Sequence, residues 1–461
     1  MPISLPDTAG WFSELNDRVE KVQPIRERGR VSQVIGLLIE SIGPSVSVGD
    51  RCIIQSDRNK EITAEVVGFR GNNVLLMPLG DMEGISTGAI VTATHEPFTV
   101  GVGAGILGRV LNGLGDPIDG KGPLDIATRR PIYNRPPHPL KRNAIREVLV
   151  TGIRAVDSMV TCGKGQRLGI FAGSGVGKSV IMGMTARHTS ADVNIIALIG
   201  ERGREVREFI ERDLGEEGLS RSVVIAVTSD QPALVRIKGG FAATTLAEYF
   251  RDQGQDVMLM MDSVTRLAMA QREIGLAVGE PPTSRGYTPS LFAMLPRLLE
   301  RAGNSDKGSI TGLYTVLVEG DDLNEPVADT MRSILDGHIL LSRKLAEKGH
   351  YPAIDTLASI SRVMSDVVSS EHLAAAREVN RVIAAYRQAE DLINVGAYEE
   401  GSNPEIDRSV ALIEIINKYL QQDLASGSDF AEAIDILVKI AGAEFESPSN
   451  KDKKNDESPS E

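Results

Sequence analysis

The sequence is poor in cysteine and in long apolar runs. Only 2 of its 461 residues are cysteines, which cannot build a disulfide framework, so we expect a reducing cytosol. No apolar run approaches the roughly 18 residues of a membrane helix. Residues 1–20 also lack the basic start and apolar core of a signal peptide. These absences predict a cytoplasmic protein whose membrane role, if it has one, depends on a partner.

Positive charge is scarce too. The chain has 50 basic and 63 acidic side chains, which gives a net charge of −13. A general electrostatic nucleic-acid binder needs a basic footprint, so this balance disfavours that class and leaves only a local basic groove open. Hydrophobic residues make up 41% of the chain and charged residues 25%, as in ordinary globular proteins, which excludes a wholly disordered chain.

Hydrophobic periodicity divides the chain into a β-rich, an alternating and a helical part. Short runs such as Val34–Ile39, separated by turn residues, predict a small antiparallel barrel. Apolar runs that alternate with helical stretches over 151–365 predict a parallel sheet. The segment between them is a connector rich in glycine and proline. We predict an N-terminal segment 1–26, a β-barrel 27–96, an α/β core with its connector 97–370, a C-terminal helical domain 371–445 and a tail 446–461.

Smaller elements complete this prediction. Helices are expected over 371–393 and 408–422, broken at GAYEEGSNPE. Residues 8–22 read as an amphipathic helix around Trp11, either docked on its own domain or presented to a partner. The tail is polar throughout, so we expect it to be disordered.

The strongest motif is FAGSGVGKS, residues 171–179. It follows an apolar run and opens a helical run, the order of a phosphate-binding loop. Glycines turn backbone N–H groups toward phosphate oxygens, and the helix N-terminus favours an anion. Lys178 is then expected to reach the β and γ phosphates, and the Ser179 hydroxyl to bind Mg²⁺. Ala172 replaces the usual first glycine, which we expect to be tolerated because alanine is the smallest substitute.

Two carboxylates follow other apolar runs. Asp262 ends VMLMMD, and strands of open α/β sheets present ligand-binding groups at their carboxyl ends. We expect Asp262 to hold Mg²⁺ through water. Glu201 follows the apolar run Ile195–Ile199 and could activate a water in line with the γ phosphate. By spacing alone, Glu201 could equally belong to a solvated cluster of charges.

Longer motifs add a family resemblance. LIGERGREVREFIERDLGEEGL, AQREIGLAVGEPPTSRGYTPSLFAMLPRLLERAG and RSILDGHILLSRKLAEKGHYPAID are similar to the type III export ATPases, relatives of the catalytic head of rotary ATP synthases. The resemblance covers residues 27–440 and implies a RecA-like P-loop core. Within this family, FAGSGVGKS and VVGFRGNNVLLMPLGDMEGI resemble the flagellar branch more than the injectisome branch.

The resemblance assigns roles residue by residue. It implies that Glu201 is the catalytic carboxylate, that Arg202 lies beside it, and that Arg362 is an arginine finger for a neighbouring subunit. It implies that Tyr351 packs on the adenine ring. The nucleotide-binding set it implies is Gly173, Ser174, Gly175, Val176, Gly177, Lys178, Ser179, Val180 and Tyr351, with Ser179 and Asp262 at the metal.

The family also implies an activity and partners. We expect Mg²⁺-dependent ATP hydrolysis by a homohexamer at the membrane export apparatus, with ATP and Mg²⁺ as substrate and cofactor. Expected partners are a stator-like regulator at the N-terminal helix, a central-stalk-like protein near Gly396–Glu405, export chaperones, their substrates and, indirectly, the export gate. We expect no nucleic acid. The alternatives are the injectisome ATPase, a hexameric RNA translocase and a non-catalytic nucleotide-binding subunit.

Overall fold

The computed structural model describes residues 27–57, 60–173, 175–318 and 322–443. The predicted N-terminal helix and the predicted tail therefore lie outside the described residues. The chain divides into two compact units, Met1–Phe98 and Thr99–Glu461. No helix among the described residues is long and apolar enough to cross a membrane.

The smaller unit contains a closed six-stranded barrel in the order β1-β2-β5-β4-β3-β6, as the short runs between turn residues predicted. Its interior is apolar, with Ile39, Ile54 and Leu76 fully buried. The prediction of one strand over Val34–Ile39 is wrong, because Gly36 adopts a φ of 56° and turns the chain between two strands. The strands are β1 Arg28–Ile35, β2 Leu38–Ile42, β3 Arg51–Gln55, β4 Glu61–Arg70, β5 Asn73–Pro78 and β6 Ile90–Ala93.

The larger unit is built on a sheet in the order β17-β16-β10-β15-β13-β11-β12-β8, with β14 paired to β15. The neighbours from β16 to β8 run parallel, whereas β17 runs antiparallel at the edge. The connector supplies strand β8, which pairs with β12, so the connector contributes to the sheet. The strands are β7 Thr99–Val102, β8 Val110–Leu111, β9 Thr128–Pro131, β10 Arg167–Ala172, β11 Val193–Glu201, β12 Ser222–Thr228, β13 Asp256–Asp262, β14 Gly303–Asn304, β15 Ser309–Leu317, β16 Gly337–Leu341 and β17 Ile354–Ser361.

Helices flank this sheet, and one of them opens directly from the phosphate loop. The α-helices are α1 Arg154–Met159, α2 Lys178–His188, α3 Gly203–Glu208, α4 Gly215–Ser220, α5 Ala233–Asp252, α6 Val264–Val278, α7 Pro289–Leu299, α8 Pro326–Ile334, α9 Arg343–Glu347, α10 Met364–Val367, α11 Ser370–Asn394, α12 Pro404–Leu420 and α13 Phe430–Ala441. A wider helical turn over Phe209–Leu214 links α3 to α4.

The C-terminal helices share one apolar core with the sheet. Leu412, Ile416 and Leu437 belong to the same buried cluster as Ile170 and Ile196 of the sheet. Helix α12 begins four residues earlier than the prediction over 408–422, because the Asn403 side chain caps its N-terminus. Burial of these apolar faces stabilises the C-terminal helices against the strands that carry the site.

Candidate active site

The phosphate loop leaves the carboxyl end of β10 and enters α2. Gly175 and Gly177 have φ angles of 81° and 94°, which side-chain-bearing residues rarely adopt. A Cβ atom added to either glycine would meet nothing within 4 Å, so their backbone conformation rather than crowding requires glycine. Ala172, in contrast, is the last residue of β10 and pairs with Leu317 and Leu341, where an ordinary strand conformation suffices.

Glu201 and Asp262 are the last residues of β11 and β13, as the apolar runs before them predict. The two strands are parallel neighbours, with Leu198 opposite Asp262. Their apolar side chains anchor them in the core, and the carboxylates therefore emerge at the same edge of the sheet as the phosphate loop. Both carboxylates are largely buried, with side chains 9% and 4% exposed.

Lys178 joins the loop to both carboxylates. Its Nζ lies 2.5 Å from Oδ1 of Asp262 and 3.6 Å from Oε1 of Glu201. The Thr315 hydroxyl donates a second hydrogen bond, of 2.6 Å, to the same oxygen of Asp262. Arg266 approaches Glu201 from α6, with 3.4 Å between its Nε and Oε1. Neither of these two atoms has a hydrogen-bond partner among the described residues, although both are buried.

The carboxyl of Glu201 has an altered affinity for protons. Burial raises its pKa to about 7, and a hydrogen bond with Glu205 acts in the same direction, while Lys178 and Arg266 oppose the shift. That hydrogen bond lowers the pKa of Glu205. A carboxyl group with a pKa near neutrality is suited to general acid–base work, because it can both release and accept a proton at physiological pH.

These groups line a cavity of about 640 Å³. We call it the phosphate-loop cavity; its lining residues include Gly173, Gly175, Gly177, Lys178, Ser179, Val180, Glu201, Glu205, Arg266 and Arg343. The volume and the cationic loop suit a nucleotide. The donor set also fits Mg²⁺, which binds through one or two carboxylates together with substrate phosphates and water. Ser179 and the unpartnered oxygen of Glu201 are candidate donors in the cavity, and Asp262, which lies outside its lining, is a third candidate 2.5 Å from Lys178.

Several sequence-predicted residues lie outside the cavity lining. The Val176 side chain is buried in the core, so only its backbone could serve a ligand. Arg202 precedes α3, and its side chain is 78% exposed and faces Glu205 at 3.6 Å. Tyr351 is 42% exposed and precedes β17, on the same sheet edge as the loop. Ser174 lies outside the described residues.

Arg362 lies at the amino ends of the parallel strands, whereas the phosphate loop lies at their carboxyl ends. It follows the end of β17, and its backbone N–H donates to Asp336 just before β16 begins. Strand β16 runs parallel to β10, with His338 opposite Gly169. At about 3.3 Å per residue, this places Arg362 on the order of 15 Å below its own phosphate loop. The arginine therefore does not reach the cavity of the chain that carries it.

Sequence reasoning missed Glu205, Arg266, Thr315 and Arg343. Arg266 lies in the first turn of α6, four residues after Asp262 ends its strand, so its spacing offered a signal. Glu205 is one of several charged side chains in GERGREVREF, and no feature of the sequence separates it from its neighbours. Thr315 and Arg343 reach the edge only through sheet pairing that links distant segments.

The fold and the site define a P-loop nucleotide hydrolase. Family models agree: the nucleotide-binding domain of the ATP synthase alpha/beta family matches residues 152–361, its β-barrel domain matches 31–95, and the T3SS EscN ATPase C-terminal domain matches 368–439. The chain is 54% identical over 436 residues to the flagellum-specific ATP synthase of Bacillus subtilis (strain 168), which covers 93% of this chain and 99% of that protein.

Two further proteins extend the likeness. The chain is 50% identical over 416 residues to the type 3 secretion system ATPase of Xanthomonas euvesicatoria, with 90% of this chain and 94% of that protein covered. The assembled ATPase EscN of enteropathogenic E. coli, solved in complex with its central stalk EscO, matches with a TM-score of 0.83 and 44% identity, over 90% and 100% of the two chains. The chain belongs to the type III secretion and flagellum-specific ATPases of the ATP synthase alpha/beta family.

Proposed function

We propose that this chain hydrolyses ATP with Mg²⁺ as a homohexameric ring that drives type III export of flagellar proteins. The observation that carries the proposal is the buried Glu201 carboxylate, 3.6 Å from the phosphate-loop lysine at the carboxyl edge of the sheet. Nucleotide binding does not require a general base, so a second buried carboxylate besides Asp262, with a pKa raised to about 7, favours hydrolysis. The 54% identity to a flagellum-specific relative supports the flagellar assignment.

Each predicted residue then has a task. Lys178 and the loop glycines hold the phosphates, and Glu201 takes a proton from the attacking water, for which its raised pKa suits it. Ser179 and, through water, Asp262 would hold Mg²⁺, which would neutralise charge on the phosphates. Tyr351 packs on adenine. Arg202 is proposed to assist the catalytic Glu201, which it follows in the sequence; its exposed side chain faces Glu205.

Arg362 acts on a neighbouring copy in this proposal. Its position at the far edge of its own sheet supports action in trans, because no rotamer spans on the order of 15 Å of strand. An arginine finger stabilises charge on the transferring phosphoryl group and contributes about 10³–10⁵ in rate. A ring of heterologous interfaces gives every cavity one such neighbour. The assembled state of EscN supports a ring here as well.

The partners follow from the family. A central-stalk-like protein would meet the loop between α11 and α12, as EscO is a stalk for EscN. We propose that the ring unloads export chaperones, unfolds their substrates and passes them to the export gate, with a stator-like regulator at the N-terminal segment and a peripheral position at the membrane.

A second candidate is injectisome export, favoured by the 50% identity to a type 3 secretion ATPase. Rescue of motility in a flagellar-ATPase deletion strain, compared with rescue of effector secretion, separates the two.

A mixing experiment tests catalysis in trans. Arg362→Ala and Glu201→Gln are each expected to be inactive as pure rings, with the oligomeric mass unchanged. Mixed at equal amounts, about a quarter of the interfaces pair an intact Glu201 with an intact neighbouring Arg362, so activity returns. A mixture as inactive as its components contradicts action in trans. Constant activity per chain on dilution of the wild type to the monomer contradicts the ring.

A further inference from the structure

Arg343 lines two cavities at once. It is the first residue of α9 and lines the phosphate-loop cavity together with Lys178 and Arg266. It also lines a second cavity of about 490 Å³, whose walls come from α9 and from the C-terminal helices α11 and α12. No motif in the sequence assigns it a role.

Strand pairing explains how Arg343 reaches the phosphate loop. Leu341 ends β16 and lies opposite Ala172, the last residue of β10 before the loop begins. Arg343 follows two residues later and therefore leaves the sheet beside the loop. It leaves on the side of β10 that faces β16, whereas Asp262 and Glu201 leave from β13 and β11 on the other side. A ligand held by the loop would lie between Arg343 and these two carboxylates.

The cations of the phosphate-loop cavity differ in how they are paired. Lys178 already contacts Asp262 and Glu201, and Arg266 faces Glu201. The Arg343 side chain is exposed and makes no ion pair or hydrogen bond within the described ranges 27–57, 60–173, 175–318 and 322–443. It is therefore the one cation lining the cavity, among those described, that can meet an anion without first releasing a carboxylate.

The second cavity offers Arg343 no free acid. Asp355 accepts two hydrogen bonds of 3.1 Å from Arg387, and Glu390 accepts one of 2.6 Å from Lys348. Both described carboxylates that line this cavity are thus already paired. The neighbouring cation Lys344 adds further positive charge on this side. The electrostatic balance therefore directs the Arg343 guanidinium toward a negative charge at the phosphate loop.

We propose that Arg343 binds the polyphosphate chain of the nucleotide on the side away from Glu201, an inference that rests on the proposed function. The contact falls on phosphates that ATP and ADP share, because the γ phosphate must face Glu201 and Asp262. It forms in the substrate complex and in the product complex alike. Uniform binding of this kind lowers the KM for ATP and leaves kcat nearly unchanged.

The test is Arg343→Gln, measured by the anisotropy of fluorescent ADP and ATP analogues and by steady-state hydrolysis. A hydrogen bond to a charged group is worth about 1.5–3 kcal/mol, so both dissociation constants and KM should rise roughly 10-fold or more. We expect kcat to change less than about 3-fold, and Arg343→Lys to recover part of the affinity because it retains a point charge. Lys344 lines the second cavity and not the phosphate-loop cavity, so Lys344→Gln should bind both nucleotide analogues like the wild type.

Three outcomes overturn the inference. If Arg343→Gln binds both analogues with wild-type affinity, Arg343 makes no contact with the nucleotide. A loss confined to ATP places the contact at the γ phosphate instead, and an equal loss in Lys344→Gln reduces the effect to general surface charge. Failure of the proposed function is distinguishable, since in that case the wild-type chain itself does not hydrolyse ATP, whether or not it binds the analogues. Arg343 has no described partner in the fold, so thermal unfolding of Arg343→Gln should match that of the wild type.

Discussion

Two of the places where the larger unit buries charge are built differently. In the first, Arg301 and Glu248 are each 1% exposed and form a two-pronged ion pair, with N–O distances of 2.8 and 2.7 Å. The remaining donors of Arg301 reach the Ile132 carbonyl and the Thr245 hydroxyl. In the second, the phosphate-loop cavity, Glu201 and Arg266 face each other at 3.4 Å with one buried atom on each side unpartnered.

The difference separates a structural ion pair from the pair that we propose takes part in the reaction. A buried charge is costly unless its hydrogen bonds are complete, and Arg301 with Glu248 meets this condition. Glu201 does not meet it, and burial raises the pKa of its carboxyl group to about 7. Such incomplete pairing is tolerated where a ligand supplies the missing partners. Burial of charge alone thus does not mark an active site; the phosphate-loop cavity is distinguished by a buried carboxylate with an unpartnered oxygen beside the phosphate loop.

The largest expected effect comes from Glu201→Gln. The substitution keeps the shape of the side chain and removes the proposed proton acceptor, so turnover should fall roughly 10³-fold, as for the loss of a general base. Nucleotide binding should persist, and thermal unfolding should occur at the same temperature or higher, because a poorly solvated carboxylate is removed. Steady-state hydrolysis and thermal melting measure the two effects.

For Glu201→Gln, a loss of stability without a loss of hydrolysis rate would contradict the contrast between the two ion pairs. If Glu201→Gln melts well below the wild type and still hydrolyses ATP at the wild-type rate, then Glu201 is a structural group. The chain would in that case join the non-catalytic nucleotide-binding subunits. A rate loss together with an unchanged melting temperature keeps the two clusters distinct.

Glu248→Gln should give the reverse pattern. It leaves the Arg301 guanidinium buried without its counter-ion, and breaking such a pair costs about 3–5 kcal/mol of stability. Hydrolysis per folded molecule should stay near the wild-type value, since neither residue lines the phosphate-loop cavity. Unfolding by denaturant and activity normalised to folded protein measure the two quantities.

A double substitution serves as the control for this pair. Glu248→Leu combined with Arg301→Met removes both charges and keeps apolar volume, so it should regain much of the lost stability. If Glu248→Gln alone is as stable as the wild type, the ion pair contributes nothing and the structural half of the comparison fails.

The sequence predicted the site unevenly, and sheet topology explains where it failed. Residues that end an apolar run, such as Glu201 and Asp262, could be predicted because a buried strand must present its next polar residue at the sheet edge. The phosphate loop could also be predicted locally, because its glycines lie within one short motif and two of them adopt the positive φ angles that favour glycine. Arg343 could not be found in this way, because its place depends on β16 pairing with β10 across more than 150 residues of chain.

The fold shows the same division between local and long-range information. Short β-rich runs between turn residues predicted the barrel, and apolar runs that alternate with helical stretches predicted the parallel sheet, since these patterns are local. The split at Gly36 was missed, because Val34–Ile39 is continuously β-favouring apart from one glycine. The position of Arg362 at the far edge also needed the antiparallel pairing of β17 with β16, which no local pattern shows.

The smallest expected effect is a difference in the pH dependence of stability between Glu201 and Asp119. Asp119 lies in the connector and accepts hydrogen bonds of 2.7 and 2.9 Å from Arg109, which hold its pKa well below its usual value of 3.8. A lowered pKa contributes stability that is fully present above 3.8 and is lost as the pH falls below it. Asp119→Asn should therefore show a constant loss of stability from pH 5 to pH 8.

Glu201 behaves in the opposite sense over that range. Its pKa rises from 4.5 to about 7 on folding, so the folded chain binds a proton more tightly and loses stability as the pH climbs from 4.5 through 7. Glu201→Gln removes this loss, and its melting temperature relative to the wild type should increase between pH 5 and pH 8. Because Glu205 is coupled to Glu201 by a hydrogen bond and is shifted the other way, the measured slope reports the pair. A slope for Glu201→Gln as flat as that for Asp119→Asn would mean that the carboxyl in the cavity is as fully paired as the one in the connector, and the contrast between reactive and structural charge would be lost.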